Sequence, residues 1–356
     1  MGLLNSIKTV LKKVFNRLLN DKNLYNLPKT SLNRKLSLLD VGARGGIGYP
    51  WNTANKDSLN IILAEPDPQE IELLKKNHVG EILPHALWSN ENELILNINN
   101  SEGTSSILES NMDFLKKFDN SDRFKTKNKI KKLTKTIDEL SLQGKISDID
   151  FIKIDTQGGE LNVLEGGINY LKDNLVGLET EIEFVEIYKN QPLFSDVETF
   201  IRQNLGLELW DIRKTYWKYS QSHYKNPTKG RLIFGDALFL RPITTLEKWL
   251  NEMEINKAKT KIQMLIISTI AYGYLDYTNA ILKTNFTDNF INKEDKQLYF
   301  AHIKKLHKSI YFNNRLSMIF QPLQLLANCF KPTHQGWASV DSSNHLGSRK
   351  KGIFWF

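Results

Sequence analysis

Several apolar runs along the first two thirds of the chain end on an acid or fall into a glycine turn. Leu36, Leu38 and Leu39 lead to Asp40 and then to Gly42, Gly45, Gly46 and Gly48. Such a run predicts a buried parallel strand that hands the backbone to a ligand-facing turn, where the missing Cβ permits close approach. Ile61, Ile62, Leu63 and Ala64 repeat the pattern and stop at Glu65. An acid at the end of the second strand, about 20 residues after the turn, is placed to accept hydrogen bonds from a ribose; the competing reading is a solvated acid. Phe151, Ile152 and Ile154 form a third run, ending on Asp155 before Gly158 and Gly159. That acid points into the crevice of a doubly wound sheet, or else caps the helix over Glu160–Glu165.

Between these runs the periodicity predicts a helix over Gln69–Asn77 with Ile71, Leu73 and Leu74 inward, and a strand at Ile82–Leu83. A strand at 93–98 precedes a polar loop at 104–108, and a short helix starts at Ile137. The segment 176–188 alternates with Glu179, Glu181 and Glu183 on one side, which predicts that this face reaches the crevice or solvent. A helix is expected over Val197–Gln203, and closing strands at Leu207–Ile212 and Asp236–Leu240. The loop between them, 213–230, mixes cations with Tyr216, Trp217, Tyr219 and Tyr224, a pairing that suits a sugar ring or a base as well as a solvated loop.

After Pro242 the pattern turns helical, over Thr244–Leu282 and Lys293–Phe330. The organisation predicted is a helix over 1–27, a sheet domain over 28–242, an all-helical C-terminal appendage over 243–330 that is a candidate homo-oligomer contact, and a tail over 331–356. Residues 1–20 place Leu3, Leu4, Ile7, Val10 and Leu11 on one helical face and Lys8, Lys12, Lys13 and Arg17 on the other. Charge interrupts this helix too often for a span, so it either packs on the domain or attaches peripherally to an anionic membrane surface. A cytoplasmic protein, at most peripheral at the inner membrane face, is expected.

The 356 residues carry 40% hydrophobic and 25% charged side chains and a formal net charge of +8, ordinary for a globular protein with a bias towards anionic partners. The single cysteine, Cys329, excludes an intramolecular disulfide and a cysteine-built zinc site. No His/Asp cluster has metal-ligand spacing, so no metal is expected.

The middle of the chain resembles the FkbM family of S-adenosylmethionine-dependent methyltransferases. DVGARGG at 40–46 is similar to that family's DVGANxG turn, and LAEPDPQEIELLKKN at 63–77 to its FEPxPxxxxxLxxN segment. KTIDEL at 135–140 and DFIKIDTQGGELNVLEGG at 150–167 resemble its TLDxL and DFIKIDVEGxExxVLxG stretches. The resemblance implies an α/β fold of class I methyltransferase (Rossmann-like) type, with a seven-stranded, mostly parallel sheet and DALFL as its final antiparallel strand. It implies S-adenosyl-L-methionine as cofactor, with Asp40, Gly42, Ala43 and Gly46 around the methionine moiety. Glu65, Pro66 and Asp67 would lie at the ribose, Ala86 and Leu87 near the adenine, and Asp155 would face the transferred methyl. His85 and His223 are weaker candidates for the chemistry. Arg44 stands where the family has Asn, and Gln157 where it has Glu.

The activity implied is O-methylation of a sugar, glycan or other small hydroxylated metabolite. An NAD- or nucleotide-sugar-binding enzyme on a similar sheet is the first rival, although residues 42–48 lack G-x-G-x-x-G. A nucleic-acid methyltransferase is disfavoured because DTQG stands where an Asn/Asp-Pro-Pro-Tyr motif is expected, so no nucleic acid is predicted as partner. A non-enzymatic glycan or membrane adaptor is the third alternative.

Overall fold

The computed structural model describes residues 34–77, 80–221, 229–315 and 337–340. The helix expected at 1–27, His223, and all of the 331–356 tail except 337–340 lie outside these residues.

The strands in chain order are β1 (Leu36–Val41), β2 (Leu59–Ala64), β3 (Glu81–Leu83), β4 (Ala86–Leu87), β5 (Glu93–Asn99), β6 (Thr126–Lys135), β7 (Phe151–Ile154), β8 (Gly177–Glu183), β9 (Glu208–Trp217), β10 (Arg231–Leu240) and β11 (Ala338–Val340). One sheet has the order β11-β9-β10-β8-β7-β1-β2-β3. Its five strands β3, β2, β1, β7 and β8 are parallel, and β10 runs antiparallel between β8 and β9. The DALFL segment thus lies in an antiparallel strand, as the sequence implies. The count differs: eight strands form, because Ala338–Val340 adds to the edge of β9 along Thr215–Trp217. The two closing strands are also longer than predicted, and β9 takes in the first five residues of the expected 213–230 loop.

Alternation along β1 explains why the sheet needs cover on both faces. Leu36 and Leu38 enter one apolar cluster, while Leu39 and Val41 enter the other. The second cluster holds α3 (Ile137–Leu142), α4 (Glu160–Glu165) and α6 (Phe194–Phe200) through Ile137, Leu140, Val163, Leu164 and Val197. The first cluster is completed by helices beyond residue 242: α7 (Ile243–Asn251), α8 (Ile255–Ala271), α9 (Leu275–Lys283) and α10 (Lys293–Arg315). Leu246, Leu250, Ile262, Leu265, Ile266, Ile270 and Ile281 share that core with Leu36, Leu38, Phe151 and Leu240.

The C-terminal helices are therefore not an appendage. They are the layer that buries one face of the sheet, which explains their apolar stripe. Polar contacts fix the same docking. Lys261 Nζ donates to Asp150 Oδ1 at 2.7 Å, and Arg34 Nη1 donates to Asp150 Oδ2 at 2.9 Å. Trp51 packs against both Phe151 and Tyr272, which stack on each other, with ring centroids 4.9 and 5.7 Å away.

One local expectation is corrected, and one strand forms where none is expected. On α1 (Pro68–Asn77), Leu74 and Ile71 are buried but Leu73 is half exposed, because it falls off the inward face. Residues 126–135 form a strand, pairing antiparallel with β5 and parallel with β4 in a second, three-stranded sheet. Five of those ten residues are lysines, so the sequence carries no apolar run there, and the strand exists because β5 supplies a ladder partner. The short helices α2 (Met112–Leu115) and α5 (Ile168–Lys172) complete the set. Among the described residues no helix is long and apolar enough to cross a membrane.

Candidate active site

The crevice opens at the carboxyl ends of β1, β2 and β7, where a doubly wound sheet places ligands. It has a volume of about 230 Å³ and is lined by Gly42, Arg44, Glu65, Pro66 and Asp67 on the side of β1 and β2. Ala86, Leu87, Leu96 and Ile98 give it an apolar wall, with His85 and Trp88 alongside. Lys153, Asp155, Thr156 and Gln157 close the end at β7. Seven of the sequence-predicted positions thus meet in one cavity: Gly42, Glu65, Pro66, Asp67, Ala86, Leu87 and Asp155. Asp40, Ala43 and Gly46 do not line it.

Gly42 has φ +75°, and a Cβ there would sit 2.0 Å from the Asp155 carbonyl oxygen. The turns after β1 and β7 touch at this residue, which accounts for glycine physically. Arg44 fixes the turn from the other side. Its guanidinium reaches Asp67 at 2.7 Å, Glu102 at 2.9 Å and Glu70 at 3.2 Å, while the Gly45 N–H donates to Glu70 Oε1. The arginine that replaces the family's asparagine therefore ties the glycine turn to the loop after β2.

Glu65 ends β2, is buried, and accepts a hydrogen bond from the Asp67 N–H at 2.8 Å. Burial pushes its carboxyl up to about 7, against the pull of that hydrogen bond and of the Arg44 charge.

Asp155 sits at the end of β7, with its backbone N–H donating to the Val41 carbonyl. Its Oδ1 accepts from Gln157 Nε2 at 2.8 Å, and Lys153 Nζ stands 3.9 Å from its Oδ2. It does not cap the next helix: Glu160 Oε1 takes the Thr156 and Gly158 N–H groups, and Gly159 is the first-turn neighbour of α4. Gln157, in the left-handed region at φ 60°, bridges two acids, since the same Nε2 donates to Glu181 Oε2 at 2.7 Å. Its Oε1 accepts from the Tyr188 hydroxyl at 3.0 Å. A glutamate at 157 would offer no such donor when ionised, so the departure from the family's Glu suits an amide-specific bridge.

Asp40 is fully buried, and neither of its carboxylate oxygens has a hydrogen-bond partner among the described residues. Burial raises its pKa, and the Lys153 charge, 3.6 Å away, opposes that rise. Burial disfavours the Lys153 charge, but Asp40, Asp155, Glu179 and Asp236 outweigh it and hold the ammonium protonated. The sequence reading passed over Lys153. Its only signal is the period of two that sets it on the same face of β7 as Asp155.

The expectation that Glu179, Glu181 and Glu183 reach crevice or solvent is corrected for Glu179 and Glu183, while Glu181 does meet Gln157 of the crevice. Glu179 and Glu183 are buried, and Glu181 is partly buried. Glu179 meets the C-terminal layer, where the Tyr272 hydroxyl donates to its Oε2 at 2.5 Å, whereas Glu181 lies against Gln157 of the crevice and Glu183 beside Glu160. Burial pushes Glu179 up to about 7 and raises Glu181 and Glu183 well above the usual carboxylate range.

Fold and site define an α/β protein with its ligand crevice at the strand ends, and a comparison of domain models supplies the family. The methyltransferase FkbM domain matches residues 40–208. Over those residues the chain is similar to that family, as the sequence motifs imply. Solved structures similar to this chain include the methyltransferase FkbM from Methylobacillus flagellatus KT, at 14% identity and TM-score 0.33, over 63% of this chain and 52% of that one. The chain thus spans about half the length of that protein. A SAM-dependent methyltransferase from Agrobacterium tumefaciens is similar at 11% identity and TM-score 0.30, over 64% of this chain and 62% of that one. A putative RNA methyltransferase from Pyrococcus horikoshii is similar at 10% and 0.29, over 65% and 82%. These likenesses are too distant to carry a functional assignment. A search of the curated proteins found no match.

Proposed function

We propose that the protein is an S-adenosyl-L-methionine-dependent O-methyltransferase acting on a hydroxyl of a sugar, glycan or other small metabolite. The observation that carries the reading is that Glu65 and Asp155 line one cavity, with Gly42 between the strand ends. The donor and acceptor set fits the cofactor: an acid for ribose hydroxyls, an apolar wall of Ala86, Leu87 and Leu96 for an adenine, and a charged end for the reacting groups.

S-adenosylmethionine supplies an electrophilic methyl on its sulfonium when bound. The chain's own residues then have two tasks, to align the acceptor oxygen and to take its proton. Asp155 receives the hydroxyl proton at its carboxylate, held towards the crevice by Gln157 and kept beside the Lys153 charge. Lys153 offsets the negative charge of Asp40 and Asp155, which would otherwise oppose an anionic base in this place.

Calorimetry on the full chain tests the reading. S-adenosylmethionine is expected to bind and NAD not to; tighter binding of NAD refutes it in favour of the nicotinamide or nucleotide-sugar alternative. A mass-spectrometric survey of methylated products in cells with and without the protein then identifies the acceptor. Peripheral contact with an anionic membrane through residues 1–20, and homo-oligomerisation through the C-terminal helices, belong to the same proposal.

A further inference from the structure

We propose that Glu160, Glu181 and Glu183 form a binding site for one hard divalent cation next to the crevice. One carboxylate oxygen from each of the three lies within 4.8 Å of the other two. Two elements build the group. Glu181 and Glu183 alternate on β8, so both project from one face of the strand. Glu160 is the first residue of α4, delivered there by the Gly158–Gly159 turn.

Glu183 supplies the second observation. It is 1% exposed, and its Oε1 has no hydrogen-bond partner among the described residues. Buried carboxylate oxygens in native proteins nearly always accept hydrogen bonds, and leaving one bare is costly. The available donors go elsewhere: Glu160 Oε1 takes Thr156 and Gly158, and Glu181 Oε2 takes Gln157. Of the cations close by, Lys153 pairs with Asp40 and Asp155, Arg213 with Asp236, and Arg123 lies over the rings of Phe124, Trp217 and Trp337. A cation held among the three carboxylates satisfies the bare oxygen and removes the mutual repulsion. An all-oxygen carboxylate set selects Mg²⁺, Mn²⁺ or Ca²⁺ over zinc.

The site is coupled to the crevice through one side chain. Gln157 donates to both Glu181 and Asp155, so drawing Glu181 towards a cation also resets the amide that holds Asp155. The cation site itself does not depend on the methyltransferase reading; only this coupling does.

Binding to the full chain, first stripped with chelator, tests the site without any activity assay. Mn²⁺ is titrated by electron paramagnetic resonance, and thermal melts are followed with Mn²⁺, Mg²⁺ and Ca²⁺. One Mn²⁺ per chain is expected, with a melting temperature that climbs with cation concentration. Glu183→Gln and Glu181→Gln are each expected to weaken Mn²⁺ binding by at least about 10-fold. Glu109→Gln, at an exposed acid elsewhere, is expected to leave it unchanged. Three outcomes overturn the proposal: no cation effect at millimolar concentration, binding that survives both cluster variants, or a Glu183→Gln protein stabilised to the same degree with and without cation, which means that the acids share protons instead. Should Glu183→Gln fail to fold, the partly buried Glu181 decides alone.

Discussion

Replacing Lys153 by methionine tests the charge arrangement at the heart of the crevice. Methionine keeps the apolar stem and removes only the ammonium. Asp40 is then left, among the described residues, with no cation close by and no hydrogen-bond donor for either oxygen. Breaking a buried pair from one side costs about 3–5 kcal/mol. The carboxyl can escape by taking up a proton. From an ordinary pKa of about 3.9, staying protonated at about pH 7 costs roughly 4 kcal/mol, which caps the loss near the same value. Urea unfolding of Lys153→Met should therefore show a deficit of about 3–4 kcal/mol near neutrality. The deficit should shrink in acid: with its lysine gone, Asp40 has a folded pKa raised further above its unfolded value. That contribution is fully present below the unfolded pKa and is lost as pH rises through the folded one. Adding Asp40→Asn to Lys153→Met should recover much of the loss. A single variant within about 1 kcal/mol of wild type, or a double variant no more stable than the single, refutes the reasoning.

Asp155→Asn should fold and keep most of its cofactor affinity while turnover on the identified acceptor falls by about 10²–10⁴-fold, the usual share of a general base; near-normal turnover removes that role. Glu65→Ala should weaken S-adenosylmethionine binding by about 1–3 kcal/mol in calorimetry. Because burial pushes Glu65 up to about 7, wild-type affinity should also fall as pH drops below that value, and a flat profile contradicts the ribose role. The same raised pKa, shared by Glu179, adds stability that is present below the ordinary glutamate value and lost as pH rises through about 7, so each Glu→Gln variant should flatten the decline of melting temperature over that window. A protein lacking residues 1–20 should lose flotation with anionic liposomes, and salt should weaken flotation of the full chain; no flotation of the full chain returns those residues to a packing role.

Local pattern determined much of this protein. The apolar runs of β1, β2 and β7 are each buried, and each ends on an acid or a glycine turn because a parallel strand must be apolar on both faces until it leaves the sheet. That spacing sufficed to bring Gly42, Glu65 and Asp155 to one crevice. Contacts between distant residues could not be read in the same way. The lysine-rich β6 is a strand only because β5 lies beside it, and β11 joins the sheet from more than a hundred residues beyond its partner β9. Tertiary structure also decided the fate of the acids on β8. Their alternation is plain in the sequence, but Glu179 is covered by Tyr272 of the C-terminal helices, and Glu181 and Glu183 meet Gln157 and Glu160, contacts that exist only when the chain is folded. Lys153, Gln157 and Glu183 gain their roles in the same way. A side chain's charge is written in its own residue, whereas the cost or benefit of that charge is set by what folding places against it.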